Sequence, residues 1–411
     1  MKLPDGWKQT KLSEIGTFSK GSGIKREESN SGCIPAVRYG EIYTDHDEYI
    51  KQFHSFISES VAKEAVLLKK GDLLFSCSGE TKEDIGKCVA FVSDVSAYAG
   101  GDIIILSPHV ECDSQYLGFL LNSYEINKQR YRYAQGDSIV HISSESLGKL
   151  QVALPPLPEQ QKIARILSAQ DKVISLKQKL LQEKQRQKKY LMRKLLSQDC
   201  ASFTLCGTTI DKRGWKKEKI QNLCTISSGS TPKRDNHDNF IGSIPWLTSG
   251  ELKHKYISDT IEKISEQAVS SSNLRIYEEG TVVIAIYGLE AAGVRGTCSI
   301  LSEKTTISQA CMAFTDFTKI SNEYFYYWYM LNGQSIGIKY AQGTKQQNLS
   351  VDLIGNLSIS IPSLPEQHAI AQVLSAADKE IELLQKSIEQ EKQKKKALMQ
   401  LLLTGTVRVK I

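Results

Sequence analysis

The sequence predicts an α+β protein: two tandem copies of one α/β unit, each followed by a long helix, with the two helices forming an antiparallel coiled coil about an internal pseudo-two-fold axis. Three observations predict it. The phrase "LPPLPEQQKIARILSAQDK" at 154–172 returns as "IPSLPEQHAIAQVLSAADK" at 361–379, 207 positions later. Short runs rich in Val, Ile and Phe, punctuated by Gly, Ser, Asp and Asn, precede each copy. Beyond each copy, apolar residues recur every seven positions in a stretch free of proline and glycine, through residue 198 in the first and up to Gly405 in the second. The chain of 411 residues therefore divides into a first unit over 1–157, a central helix over 158–198, a second unit over 199–364 and a C-terminal helix and tail over 365–411.

The units come first in chain order. Gly6-Trp7 returns as Gly214-Trp215, "IPAVRYGEI" from Ile34 as "IPWLTSGEL" from Ile244, "GDLLFSCSG" from Gly71 as "GTVVIAIYG" from Gly280, and "YAQG" from Tyr133 at Tyr340. Offsets between 207 and 210 mark a duplication of the whole unit, and two copies are too few for a solenoid. Runs such as "LLFSC", "CVAFV" and "TVVIAIY" predict a mainly antiparallel or mixed sheet, followed by one helical stretch in each half, "SQYLGFLLNSYEINKQR" and "NEYFYYWYMLNGQSIGIK". "LQVALPPLP" and "LSISIPSLP" read as closing strands that end at prolines.

The helices come next. Pro158 and Pro365 suit a first helical position, and Glu159 and Glu366 put negative charge at the positive end of the helix dipole. Leu167, Ile174, Leu181 and Leu195 form one seam, with Ile163 and Leu191 as companions. Leu374, Ile381, Ile388 and Leu402 form the other, with Ile370, Ala377, Leu384 and Leu398. Both seams are interrupted at matching lysines, Lys188 and Lys395. Each helix packing only on its own unit is one arrangement; the two seams burying each other is the expected one, because one unit does not cover so long a stripe.

Composition is that of a soluble globular protein, 40% hydrophobic and 24% charged, with no apolar run long enough to span a bilayer and no secretory leader at the N-terminus. A cytoplasmic location is expected, with nine cysteines lacking any CxxC pair read as reduced, buried thiols. The net charge of +6 is distributed as −4 over 1–157, +8 over 158–198, zero over 199–364 and +2 over 365–411. An anionic partner must therefore be met by local patches.

No catalytic constellation emerges. "GETKEDIGKC" (Gly79 to Cys88) has six residues before Gly-Lys where a phosphate-binding loop has four, and Cys where it has Ser or Thr. The Asn-Pro-Pro-aromatic and Asp-Pro-Pro-aromatic tetrapeptides of amino-methyltransferases are missing, and the 7 histidines lack metal-ligand spacing. The aromatic run Tyr324 to Met330 reads as core and not as a base-stacking platform.

"PLPEQQKIA" and "SLPEQHAIA", each opening a basic heptad helix that ends "LMRKLL" or "LMQLLLTG", resemble the specificity subunit of type I restriction-modification systems. "LPDGWKQTKLSEIG", "GWKKEKIQNLCTISSGSTP" and "AQGTKQQNLS" fit the same family, and the resemblance covers essentially the whole chain. The first half departs from it at "AQGDSIVHIS" and "SKGSGIKRE". The resemblance implies two target-recognition domains, each reading one half of a bipartite, asymmetric site on double-stranded DNA. It implies a subunit without a catalytic centre that docks two methyltransferase subunits, joined by restriction subunits. S-adenosylmethionine, ATP and Mg are then expected only in those partners. A helix of about 40 residues is about 60 Å long, which bounds the separation of the readers at about 18 base pairs.

Candidate DNA contacts lie in polar, basic loops at matching positions. They are Lys20, Lys25, Arg26, Arg38, Tyr39, Arg130, Arg132, Gln135 and His141 in the first half, and Lys233, Arg234, Thr248, Ser249, Lys339, Gln342, Lys345, Gln346 and Asn348 in the second. Arg suits guanine edges and Asn or Gln suits adenine, although surface cations are common and part of this set is expected to meet phosphate or solvent alone. Lys188, Lys189, Lys394 and Lys395 are expected to face spacer phosphates or an acidic methyltransferase surface. The competing reading is a non-catalytic coiled-coil scaffold carrying two protein-binding modules that does not read DNA; a fused nuclease or methyltransferase is disfavoured by the missing motifs.

Overall fold

The computed structural model describes residues 3–79, 85–136, 140–197, 202–205, 208–289, 293–341 and 348–410. The chain forms two compact units, one of residues 1–178 with 386–411 and one of residues 179–385. In the first, an antiparallel sheet runs in the order Gly16–Lys20, Ile103–Pro108, Leu73–Ser76, Cys88–Ala90. Apart from the edge strand Gly16–Lys20, its strands are buried without alternation because both faces are covered. Leu73, Phe75, Ile104 and Leu106 pack towards the helices, and Leu74, Val89, Ile103 and Ile105 pack towards Val37, Ala97 and Ala99. Val37 and Ala99 belong to a second sheet, Ser55–Ile57, Ile34–Val37, Tyr98–Ala99, Val66–Leu67, whose central pair is parallel.

The second unit repeats the plan. Thr225–Ser228, Cys311–Thr315, Val282–Ala285, Cys298–Leu301 and Tyr256–Ile257 form its larger sheet, and Glu262–Ile264, Ile244–Leu247 and Thr306–Ile307 its smaller one. Tyr324 through Tyr329 are buried in the core, as the aromatic run predicts, whereas Met330 at its end is exposed. The helical stretch differs between halves. Asn322–Tyr340 is one helix, whereas the first unit has two, Ser114–Leu121 and Tyr124–Tyr133. The break follows from Asn122, whose amide donates to the carbonyls of Cys88 (2.6 Å) and Gly118 (2.9 Å) and accepts from the Cys88 N–H (3.0 Å), in competition with helix continuation. Cys33 is exposed, so the expectation that every cysteine is buried does not hold.

The repeated phrase builds the joint between each unit and a long helix. Gln151–Leu154 and Ser358–Ile361 pair antiparallel with Lys8–Lys11 and Lys216–Lys219, and helices Leu157–Leu196 and Leu364–Leu403 follow, each starting one residue ahead of its proline. Gln160 accepts from the Asp113 N–H (2.9 Å) and donates to the Pro155 carbonyl (2.9 Å). Gln367 makes the matching bonds to Ser321 (2.7 Å) and Pro362 (3.0 Å). Asp113 and Ser321 are the N-caps of the buried helices, so one glutamine ties the start of each long helix to the start of each core helix. Glu159, fully buried, accepts from the Trp7 indole (3.2 Å) and takes Arg408 through two bonds of 2.7 and 2.8 Å, which closes the C-terminal tail onto the N-terminal segment. Glu366 caps its own helix, through Ser363.

Inside each unit, segments of the two long helices run antiparallel. In the first unit Gln170 meets Glu391 (2.7 Å), Asp171 meets Lys395 (2.7 Å) and Lys177 meets Ser387 (2.8 Å) and Glu391 (2.7 Å). In the second, Lys184 meets Glu380 (2.7 Å) and Lys188 meets Asp378. The apolar seam is divided between two jobs. Ile163, Leu167, Leu398 and Leu402 pack in the core of the first unit, and Leu191, Leu195, Ile370 and Leu374 in that of the second. Ile174 and Ile388 are buried along the helix pair, while Leu181, Ile381 and Leu384 are half-buried.

The lysine interruptions of the seam require correction. Lys395 lies between Asp171 (2.7 Å) and Glu48 (2.7 and 2.8 Å) with its side chain 14% exposed, and Lys188 sits on Asp378, over the ring of Tyr327. Neither is a free cation for an outside partner. Burial opposes the Lys395 charge, but Glu48 and Asp171 more than offset it and hold the ammonium above its ordinary range. Replacing Lys395 by Met takes the bonded cation from buried Glu48 and leaves buried Asp171 with Lys51 at 3.7 Å, and should lower stability by about 3 kcal/mol in denaturant titration, with Asp171→Asn recovering part of the loss. His46, 4% exposed, is pushed down to about 4, first by burial and then by His54. Its imidazole stays neutral while the unfolded chain protonates, so stability is lost as pH falls from 6.5 towards 4. In thermal unfolding across that window, His46→Gln should lose about 2 kcal/mol less than the unsubstituted chain.

Candidate nucleic-acid interface

In the first unit, three of the candidate residues converge. Lys20 ends the edge strand Gly16–Lys20, and Gln135 and His141 face each other through reciprocal backbone bonds of 3.0 and 2.8 Å. The short strand Val140–His141 pairs with Ser78–Gly79, and the Ser78 hydroxyl lies 3.1 Å from His141 Nδ1. Lys20, Gln135 and His141 line an open cleft of about 340 Å³ together with Cys77, Ser78, Asp102 and Tyr133. An ammonium, an amide and an imidazole around one concavity can donate to phosphate and exchange hydrogen bonds with base edges. Burial lifts the Cys77 thiol above its ordinary range, so it enters the cleft as a neutral group.

The other first-half candidates divide by exposure. Lys25 and Arg26 stand exposed at the three-residue turn Arg26–Glu28, and Arg132 is exposed in the last turn of Tyr124–Tyr133. Arg38 is held by Glu41 (3.2 Å) and Ser55 (3.1 Å), next to Tyr39, which is exposed. Arg130 is 2% exposed, and its guanidinium donates to the Gly86 carbonyl and to Asn127. As a DNA contact Arg130 is therefore withdrawn: it braces the core, because a buried cation must spend its donors internally.

In the second unit, Lys233 and Arg234 follow the loop after the first sheet strand. Arg234 is bound through two bonds to Glu262 (2.6 and 2.8 Å) and lies over the rings of Phe240 and Trp246, 4.4 and 4.9 Å from their centroids. Both terminal nitrogens serve that carboxylate at the surface, where the Arg234 side chain stays exposed beside the exposed Lys233. Thr248 donates to Glu251 (2.7 Å), with Ser249 beside it, and Lys339 is exposed near the end of its helix. Asn348 has a buried side-chain oxygen without a hydrogen-bond partner among the described residues. Gln342, Lys345 and Gln346 lie outside the described residues, as does the middle of the Gly79–Cys88 stretch.

Sequence reasoning missed Ser78, Tyr133 and Asp102 in the cleft, and the Glu262, Phe240 and Trp246 cage around Arg234. The signal for some of them was present: where "FSCSG" meets "IAIYG" the two copies diverge, at residues flanking a shared strand. Among the described residues, no cluster of His, Cys, Asp and Glu could hold a metal ion, and no helix is long and apolar enough to cross a membrane.

The family model for the type I restriction modification DNA specificity domain matches residues 4–185 and again 212–393. The chain belongs to this family. Two relatives from Methanocaldococcus jannaschii align over 100% of the chain and 95% of their own length. They are the type I restriction enzyme MjaVIII specificity subunit at 23% identity and a putative MjaX specificity subunit at 25%. The Escherichia coli EcoR124I/EcoR124II specificity subunit is 25% identical over 65% of the chain and 67% of its own length. The fold matches the S subunit of a type I restriction-modification system from M. genitalium (TM-score 0.59, 14% identity, 98% of each chain) and a chain from a study of type I complex assembly (TM-score 0.65, 14% identity, 99% and 100%). As in the repeat itself, both copies of the specificity domain begin with a globular fold and extend into a long helix. Glutamine at Lys20, Lys25 and Arg26 together should weaken duplex binding and flatten the plot of log affinity against log salt by about 0.9 for each phosphate no longer neutralised. Fluorescence anisotropy across a salt series measures this, and Arg130→Gln should instead appear as a loss of stability.

Proposed function

We propose that the chain is the DNA specificity subunit of a type I restriction-modification complex. Each unit reads one half of a bipartite, asymmetric site, while the helix pair sets the spacer and docks the modification subunits. One observation carries the reading. The two specificity-domain matches coincide with two units built on the same plan of strands and the same glutamine joint, yet different side chains occupy matching reading positions: His141 against Asn348, and Arg38 and Tyr39 against Thr248 and Ser249. Equal scaffolds with unequal recognition edges are what an asymmetric, two-part DNA sequence demands.

In this reading the chain contributes recognition and no chemistry. Base contacts by Gln135, His141, Lys20 and their counterparts select the sequence, and the surrounding lysines and arginines fix the register on the phosphates. Two modification subunits bring S-adenosylmethionine, restriction subunits bring ATP and Mg, and the complex works in the cytoplasm, where its DNA is. The names of the relatives, all type I specificity subunits, support the same assignment.

Mapping methylated adenines genome-wide in cells with and without this gene tests it. One bipartite motif with an unread spacer should be methylated in the presence of the gene and unmethylated in its absence. A methylome that does not change on deletion sinks the proposal and favours a scaffold that does not read DNA.

A further inference from the structure

The loops after the first sheet strand are clamped in the same way in both units up to one point. Gly21 and Gly229 bond through N–H to Ile103 (2.9 Å) and Cys311 (3.1 Å), and a Cβ on either would fall within 2.0 to 2.2 Å of a backbone carbonyl. Ser22 Oγ donates to the Glu64 carbonyl (2.6 Å), and Ser230 Oγ makes the matching bond to Ser272 (3.3 Å). The loops then diverge. The second continues through Pro232 and is fixed by the Arg234 cage. The first has two successive left-handed residues, Gly23 at φ 63° and Ile24 at φ 57°.

A β-branched residue at that φ is strained, and it persists only where its surroundings hold it. Here they do. The Ile24 side chain is 7% exposed in a cluster with Ala36, Ile57 and Ala62. Gly101 N–H donates to the Gly23 carbonyl (3.0 Å), and Gly100 leaves the room that Ile24 occupies, since a Cβ there would lie 3.1 Å from Ile24 Cβ. The next two residues are the exposed Lys25 and Arg26, the former beginning a turn closed by Glu28 (2.7 Å).

We infer that Ile24 is a positioning residue for DNA reading by the first unit: its buried side chain pins a strained turn that aims Lys25 and Arg26. The inference rests on the reading of the chain as a specificity subunit. Ile24 is too buried to touch DNA, so its effect is confined to where the next two side chains point. The second unit reaches the same end by other means, a proline and a caged arginine, so the dependence on Ile24 belongs to one half-site only.

The test uses the full chain expressed from its own locus, with methylated adenines mapped genome-wide. Ile24→Gly removes both the strain and the anchor, and should relax base preference at one half-site about tenfold, the worth of a single base contact. The other half-site should keep its stringency, and Ile24→Leu, which refills the pocket, should retain both. Should the glycine variant fail to accumulate, Ile24→Asn, which tolerates the left-handed conformation without filling the pocket, is read in the same way. Unchanged stringency at both halves, or equal relaxation of both, overturns the inference. Absence of any gene-dependent bipartite motif in unaltered cells overturns the subunit reading itself, so the two failures are distinguishable.

Discussion

A lysine placed where a seam residue should be apolar governs the helix pair. Lys395 against Asp171 and Lys188 against Asp378 are repeats of one interaction, each joining the seam lysine of one helix to the aspartate near the end of the repeated phrase on the other. Such a pair adds little net stability, since desolvation consumes most of the attraction, but losing one member leaves a buried charge unpaired. Sliding either helix by one turn, about 5.4 Å, would break the pairing. The pairs therefore act as register marks, and the apolar seam, only half-buried at Leu181, Ile381 and Leu384, does not have to specify register.

The joints at the helix starts complete that constraint. Gln160 and Gln367 are buried amides with both ends satisfied, which ties the direction of each long helix to a core helix cap. The Glu159–Arg408–Trp7 cluster then fastens the last residues of the chain to the first, within the same unit. The second unit uses Lys212, which lies over Trp215 and donates to the carbonyls of Lys194 and Ser197. In both units the end of one long helix and the start of the other are packed into one apolar core, so helix orientation is a property of each core and not of the helix pair alone.

On that frame the recognition edges are free to differ. The glycine clamps at Gly21 and Gly229 are shared, while the residues beyond them, Gly23-Ile24 on one side and Pro232 with a caged Arg234 on the other, are not. Keeping the clamp while the downstream loop varies changes the backbone path that carries the Lys-Arg pair without moving the strand before it. The cleft around Lys20, Gln135 and His141 obeys the same rule, with its walls supplied by the sheet and its polar groups by short segments at the sheet's edge.

The sequence by itself determined the duplication, the mixed sheets, the long helices and their antiparallel pairing, because apolar periodicity and a repeated phrase are local signals that survive without knowledge of contacts. It also identified the segments that hold Lys20, Gln135 and His141. Only the tertiary structure decided that Arg130 is a core brace, that Arg234 pairs with Glu262 at the surface, and that Lys188 and Lys395 are internal partners. The physical reason is that a charge has the same appearance in sequence whether it faces water or a carboxylate more than 200 positions away. Burial and partner are set by packing, and the break at Asn122 and the left-handed Ile24 are likewise consequences of contacts that no single segment contains.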